Sequence, residues 1–311
     1  MTDSLRRSAG GREAHTLPGP QARTSSRRNL GHAVPMVPGL LFLAAIAIYP
    51  TIYSLVLSFQ RWRLTTGGDP EFIGFDNYVA ILSDDAFWNS LRVTLVFVIF
   101  AVGVEFVLGF GLALLFFRPF RGDKLLRGII LMPMLLAPVV AGLLARFMLE
   151  PNFGIVNQLM RSVGLPTTEF LGSISLALPT LIAIDVWQWT PFLFLIFLAA
   201  MQGLPEEVIE ASLIDGASWL QIIWYQFLPL LKYPIMVGLL FRLIDAFRVY
   251  DIIYMTTRGG PIDVTSTLSW QIYDVGFRSF MVSYAAAYSW ILLILVMIVA
   301  NFLIRRIAQK A

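Results

Sequence analysis

Six apolar runs limit what this chain can fold into. They lie near 36–59, 90–117, 128–149, 176–200, 233–256 and 282–304. At about 1.5 Å of rise per residue, each is long enough to cross roughly 30 Å of hydrocarbon as a helix. A helix pairs its own backbone groups, which lipid cannot do. The expected fold class is therefore an all-α integral membrane protein with six transmembrane helices. Composition agrees: of 311 residues, 57% are hydrophobic and 14% charged, against about 45–50% and about a quarter in soluble domains. The spacing divides the chain into a basic tail over 1–34, a six-span body over 35–304 and a short tail over 305–311.

The links between the runs set the expected orientation. Arg6, Arg7, Arg12, Arg23, Arg27 and Arg28 outnumber Asp3 and Glu13 in the first tail, which reads as a disordered basic segment. The link 118–127 holds Arg118, Arg121, Lys124 and Arg127 against Asp123, and the C-terminus holds Arg305, Arg306 and Lys310. Basic links stay inside, so both termini are expected in the cytoplasm. The first link, with Asp69, Glu71, Asp76, Asp84 and Asp85 against Arg61 and Arg63, falls outside. A net charge of +3 gives no case for nucleic acid. There is no cysteine, and His15 and His32 are the only histidines. That excludes thiolate chemistry and a histidine metal site or triad in the membrane. No G-x-x-x-x-G-K-[ST] loop occurs, so ATP, if it drives transport, binds to another polypeptide.

One link is acidic although parity places it inside. Pro205 opens it, Glu206 and Glu207 suit a first helical turn, and Asp215-Gly216 should break the helix. Ser218 with Gln221 reads as a capping box for a second short helix, and Pro229 and Pro234 should punctuate the return to the fifth run. With Glu210 it carries four carboxylates, so it should not cross a bilayer. Taken alone, it also reads as an interfacial amphipathic helix between two spans.

Glu210, Ala211, Asp215, Gly216, Ala217, Leu228, Pro229 and Pro234 follow the spacing of the EAA loop and resemble that of binding-protein-dependent ABC importer permeases. Ser212 stands for a second Ala, and Gln226 for an apolar residue. Phe72–Tyr78, Phe153–Asn157 and Arg258-Gly259-Gly260-Pro261 are similar to outer-loop stretches of the sugar-type (maltose-type) branch, and the resemblance covers about 35–304. It implies a type I importer permease in a bacterial or archaeal cytoplasmic membrane, with 206–234 as its cytoplasmic coupling-helix loop. The implied partners are ATP-binding subunits carrying ATP-Mg, a second permease subunit, an extracytoplasmic solute-binding protein and the lipid bilayer. No cofactor is expected on this chain, and it is not expected to be an enzyme. The ATPase-coupling candidates are Glu210, Ala211, Asp215, Gly216, Trp219, Leu220 and Pro229, with Trp219 and Leu220 as exposed knobs.

Ionisable groups inside spans are costly unless paired, so they are functional candidates. Glu105 and Arg146 lie in the second and third runs and Asp185 in the fourth. Arg242, Asp245, Arg248 and Asp251 lie in the fifth at three-residue steps. On a continuous helix that spacing drifts about 60° per step, so Arg242 and Asp251 should face opposite sides and not share one wall. Glu105 should be buried, with an arginine or a backbone group as partner. The substrate-path candidates are Asp185, Trp187, Gln188, Trp189, Arg242, Asp245, Arg248, Tyr250 and Asp251. Their aromatic rings suit a sugar, but they suit an interfacial belt equally. Two other functions compete. An ion-coupled secondary transporter or channel predicts inverted repeats, and none is evident. A membrane enzyme needs a catalytic cluster, and none occurs.

Overall fold

The computed structural model describes residues 37–65 and 67–308, and the basic tail at 1–34 and residues 309–311 lie outside the described residues. The chain divides into two compact units, 1–50 and 51–311. The described part of the first unit is the opening of α1 (Val37–Ser58), as far as Pro50.

In the second unit, α1 ends at Ser58 and leads into an antiparallel ribbon of β1 (Gln60–Arg61) and β2 (Glu71–Phe72), with Gln60 opposite Phe72. There follow α2 (Asp76–Leu82), α3 (Asp85–Leu115), α4 (Asp123–Leu131), α5 (Pro138–Met148), α6 (Ile155–Ser162), α7 (Ala177–Gln202) and α8 (Glu206–Ile214). Then come α9 (Trp219–Ile222), α10 (Leu228–Leu230), α11 (Lys232–Ala246), α12 (Asp251–Met255), α13 (Leu268–Tyr273) and α14 (Val282–Ala308). Among the described residues the fold is all-α apart from that ribbon.

The six apolar runs are not all single helices. Among the described residues, four helices are long and apolar enough to cross a membrane, or five if the pair Trp219–Leu230 and Lys232–Ala246, bent by 71°, counts as one. The third run is broken by proline. Pro133 opens a 3-10 turn, and Ala137 is forced to extended backbone before Pro138, which starts α5. The fifth run is broken between Ala246 and Asp251. Two of the carbonyls freed there, Phe247 O and Val249 O, accept from Ser269 Oγ at 3.1 Å and Thr267 Oγ1 at 3.3 Å. The broken runs meet: Gly142 of α5 lies so close to α12 that a Cβ there would be 3.0 Å from Met255 Cβ. Arg146 Nη1 donates to the Met255 carbonyl at 3.4 Å.

α3 and α7 form the central packed pair. α3 begins at Asp85, earlier than expected, because the Asp84 carboxylate accepts from Ala86 N at 2.9 Å and caps it. α7 continues as one helix through Pro191. Of the glycines in α3, Gly109 lets α7 approach closely: a Cβ there would sit 3.0 Å from Leu193 Cβ and 3.1 Å from Phe194 N. Gly103 and Gly111 face open space. Ala285, Ala286 and Ala287 of α14 are buried, as a small-residue face requires.

The outer-loop motifs act as local scaffolds. Asn77 Nδ2 donates to Ser58 O and Gln60 O, both at 2.8 Å, tying α2 to the end of α1. Asn157 is fully buried and bonds the Leu149, Glu150 and Thr168 carbonyls. Backbone carbonyls of Met148 and Glu150 leave no room for a side chain at Gly154. The N–H groups of Phe153 and Asn152 hold the nearby Glu150 carboxyl below the usual carboxylate range. Gly259, at φ 85°, packs its backbone against the Trp270 ring, and Thr265 Oγ1 donates to Gly260 O at 2.7 Å.

Gly109→Val should wedge α3 from α7 at a cost of about 1–3 kcal/mol. Gly111→Ala should cost little. Thermal unfolding in detergent compares them, and equal midpoints would contradict the packing described.

Candidate functional site

The loop after α7 folds locally, as its residues dictate. Pro205 is extended (φ −61°, ψ 128°) and α8 starts behind it. Gly216, at φ 78°, reverses the chain, while Ala217 N bonds Ser212 O at 3.0 Å. The capping box forms: Ser218 N donates to Gln221 Oε1 at 2.7 Å, and Gln221 N to Ser218 Oγ at 3.4 Å. α9 then passes through a π turn at Ile223–Phe227 into α10. The sharp bend falls between Leu230 and Lys232, not at Pro229 or Pro234. Both prolines sit in the first turn of a helix, where a missing N–H breaks nothing.

One face of this loop is fixed to the membrane body. Ile209, Ile222 and Phe227 are buried in a cluster with Phe110 and Phe116 of the α3 end and with Phe194 and Phe197 of α7. The other face is open. Glu210, Ala211, Asp215, Gly216, Leu220 and Pro229 are all exposed, Leu220 to 65%. Trp219, the other expected knob, is 40% exposed and also packs on its neighbours. The Arg118 guanidinium lies 5.6 Å from its ring centre, and its ring meets Phe227 edge-on at 6.0 Å. Phe117 also meets Phe227, at 5.3 Å, so the basic link clasps the loop. Ile214, 85% exposed at the end of α8, was not singled out from the sequence. Its place just before the Asp-Gly turn was the signal for it. A cavity of about 310 Å³, bordered by Ser212, Asp215, Gly216, Gln221 and Tyr225, opens between the two helices.

The intramembrane charges gather on Arg242 of α11. Its Nε and Nη2 donate to Glu105 of α3 at 2.6 and 2.9 Å. Nη2 also bonds Asp185 of α7, and Nη1 bonds Asp245 at 3.1 Å. Arg242, Glu105 and Asp185 are buried, whereas the Asp245 side chain is 52% exposed. Asp245 pairs with Arg242 alone, and Arg248 has no side-chain partner among the described residues. The Trp189 ring lies 5.5 Å from the Arg242 guanidinium carbon.

A cavity of about 50 Å³ lies between the two broken runs, lined by Pro138, Asp185, Trp189, Arg242, Asp245, Arg248, Tyr250, Asp251 and neighbours. Arg242, Asp245, Arg248 and Asp251 thus all border one cavity, which the drift expected of a continuous helix would not allow. The helix ends at Ala246 and restarts at Asp251, which resets the angle. Two candidates stand apart. Trp187 is exposed on another face of α7, and Gln188 is buried, with Nε2 donating to Leu136 O in the third-run break at 2.9 Å.

Residues 105–309 match the family described as "Binding-protein-dependent transport system inner membrane component". The chain is 36% identical to the "Probable ABC transporter permease protein y4oQ" of Sinorhizobium fredii over 88% of this chain and 89% of that one. It is 35% identical to the "Trehalose transport system permease protein SugA" of Mycobacterium tuberculosis over 93% of each. Its fold is similar to a chain of a bacterial ABC transporter involved in import of the acidic polysaccharide alginate, at TM-score 0.79, 21% identity, and 90% and 96% coverage.

Glu105→Gln should lower stability by about 3–5 kcal/mol, because Arg242 loses a fully buried charged partner. Asp245→Asn should cost under about 1 kcal/mol, since that carboxylate keeps water. Tryptophan fluorescence during thermal unfolding in detergent separates the two, and equal losses would contradict the assigned burial.

Proposed function

The chain belongs to the family of binding-protein-dependent transport system inner membrane components, and from that premise we propose how it moves a carbohydrate inward. It is a transport subunit of an ABC importer and not an enzyme; ATP hydrolysis lies on a separate chain. The observation that carries the proposal is the two-faced loop at 206–230. A segment with one face buried in the core and the other open is suited to pass motion from a docked protein to the membrane.

In this reading both termini and the loop lie in the cytoplasm. ATP-Mg binds the ATPase pair, and a groove of the ATPase takes Leu220 and Ile214, with Glu210 and Asp215 at its rim. Closure of the ATPase pair moves α8 and α9. Ile209, Ile222 and Phe227 carry that motion to α3 and α7, and the bend before α11 carries it to Arg242. The cavity between the two breaks is a piece of the path, and it opens alternately to each side. Non-helical backbone at that depth is tolerated where it lines a cavity. A ligand pocket takes roughly 300–1,000 Å³, so a second permease subunit supplies the facing wall and opening supplies the rest. A solute-binding protein delivers the sugar at the outer loops. The sugar assignment draws on SugA's trehalose and on Trp189 and Tyr250 at the edge of the cavity.

Gly216→Pro should abolish uptake and leave membrane insertion intact, because proline cannot adopt φ 78°. Uptake by this variant at the wild-type rate, in cells carrying the complete importer, would overturn the coupling role of the loop.

A further inference from the structure

We infer that the solute passing this chain is an uncharged sugar, and that Asp245 and Asp251 give its side of the path a selectivity against anions. The inference rests on the carbohydrate reading above and adds the charge class. Relatives and structural neighbours do not decide it, because a trehalose permease and an importer of an acidic polysaccharide both match the chain.

The charges around the cavity decide it. Two arginines, Arg242 and Arg248, face Asp185, Asp245 and Asp251, with Glu105 directly behind Arg242. Arg242 has almost nothing left for a ligand. A guanidinium has five N–H donors; here Nε and Nη2 serve Glu105 and Asp185, and Nη1 serves Asp245. Its positive charge is spent inside the protein. Arg248 is the remaining cation; it borders the same small cavity as Asp245 and Asp251 and forms no ion pair with either. A sugar carboxylate or phosphate approaching Arg248 therefore meets two like charges in a confined space, which repel it.

An uncharged sugar meets the same groups favourably. Its hydroxyls donate to the half-exposed Asp245 carboxylate and to Asp251, and such charge-assisted bonds are stronger than neutral ones. Trp189 and Tyr250 border the cavity and add apolar contact for the carbon side of a sugar ring. The arrangement is thus matched to a polyhydroxylated neutral solute.

The complete importer, reconstituted in proteoliposomes with ATP, tests this. Uptake is measured for trehalose and maltose, and for a galacturonate trisaccharide and sn-glycerol 3-phosphate. The neutral sugars should be taken up at least about tenfold faster than the anions. Asp251→Glu should keep that ratio, and Asp251→Asn should lower it, with size-exclusion profiles showing both variants assembled. Faster uptake of an anion overturns the inference and leaves the carbohydrate reading standing. An unchanged ratio in Asp251→Asn overturns the role given to that carboxylate. Uptake of no sugar from either group removes the carbohydrate reading, and the inference with it.

Discussion

The membrane body depends on the bonding of Arg242 to Glu105 and Asp185. A guanidinium and carboxylates out of water carry a desolvation penalty of several kcal/mol each, and only close, well-directed pairing offsets it. The two-pronged contact with Glu105, at 2.6 and 2.9 Å, meets that condition. It also fixes three elements at one point, since Arg242 comes from α11, Glu105 from α3 and Asp185 from α7. Mutual attraction of helices through apolar contact is weak in lipid, whereas a buried charge with no partner is costly. The cluster therefore specifies which helices meet and at what height.

The same cluster links the two candidate regions, the loop and the cavity. α11 begins at the 71° bend that ends the 206–230 loop, and it carries Arg242 toward the break at 247–250. Motion of the loop has a short mechanical route to the cavity: through the bend, along α11 and into the carboxylates of α3 and α7. A second route runs through Phe227, Phe117 and Arg118 to the end of α3. Both routes are packed side chains on rigid helices, which shift as units and do not deform continuously.

Much of this was legible in the sequence because its causes are local. Pro205, Gly216 and the Ser218–Gln221 box define the turn between α8 and α9 within a few residues of each other. The need to pair Glu105 followed from its depth in an apolar run. The break in the fifth run was not legible. It is completed by hydroxyls of Thr267 and Ser269, about twenty residues on, and without it the three-residue spacing from Arg242 to Asp251 reads as a spiral. The contact of Trp219 with Arg118 was hidden for a similar reason, since Arg118 lies a hundred residues earlier. The outer motifs marked the family, but only the structure shows that Asn77 and Asn157 serve as loop ties.

The absence of cysteine from the whole chain permits a direct test of the central claim, that the open face of the 206–230 loop is where an ATPase docks. Leu220→Cys and Ile214→Cys each introduce a single thiol on that face, and Val79→Cys, on the exposed side of α2, serves as the control. Membranes containing the complete importer are treated with a short bifunctional thiol- and amine-reactive reagent, and the adducts are identified by mass spectrometry. Adducts to the ATP-binding subunit from Leu220→Cys and Ile214→Cys, and none from Val79→Cys, are the expected result. An ATPase adduct from Val79→Cys, or from none of the three, would contradict the docking face.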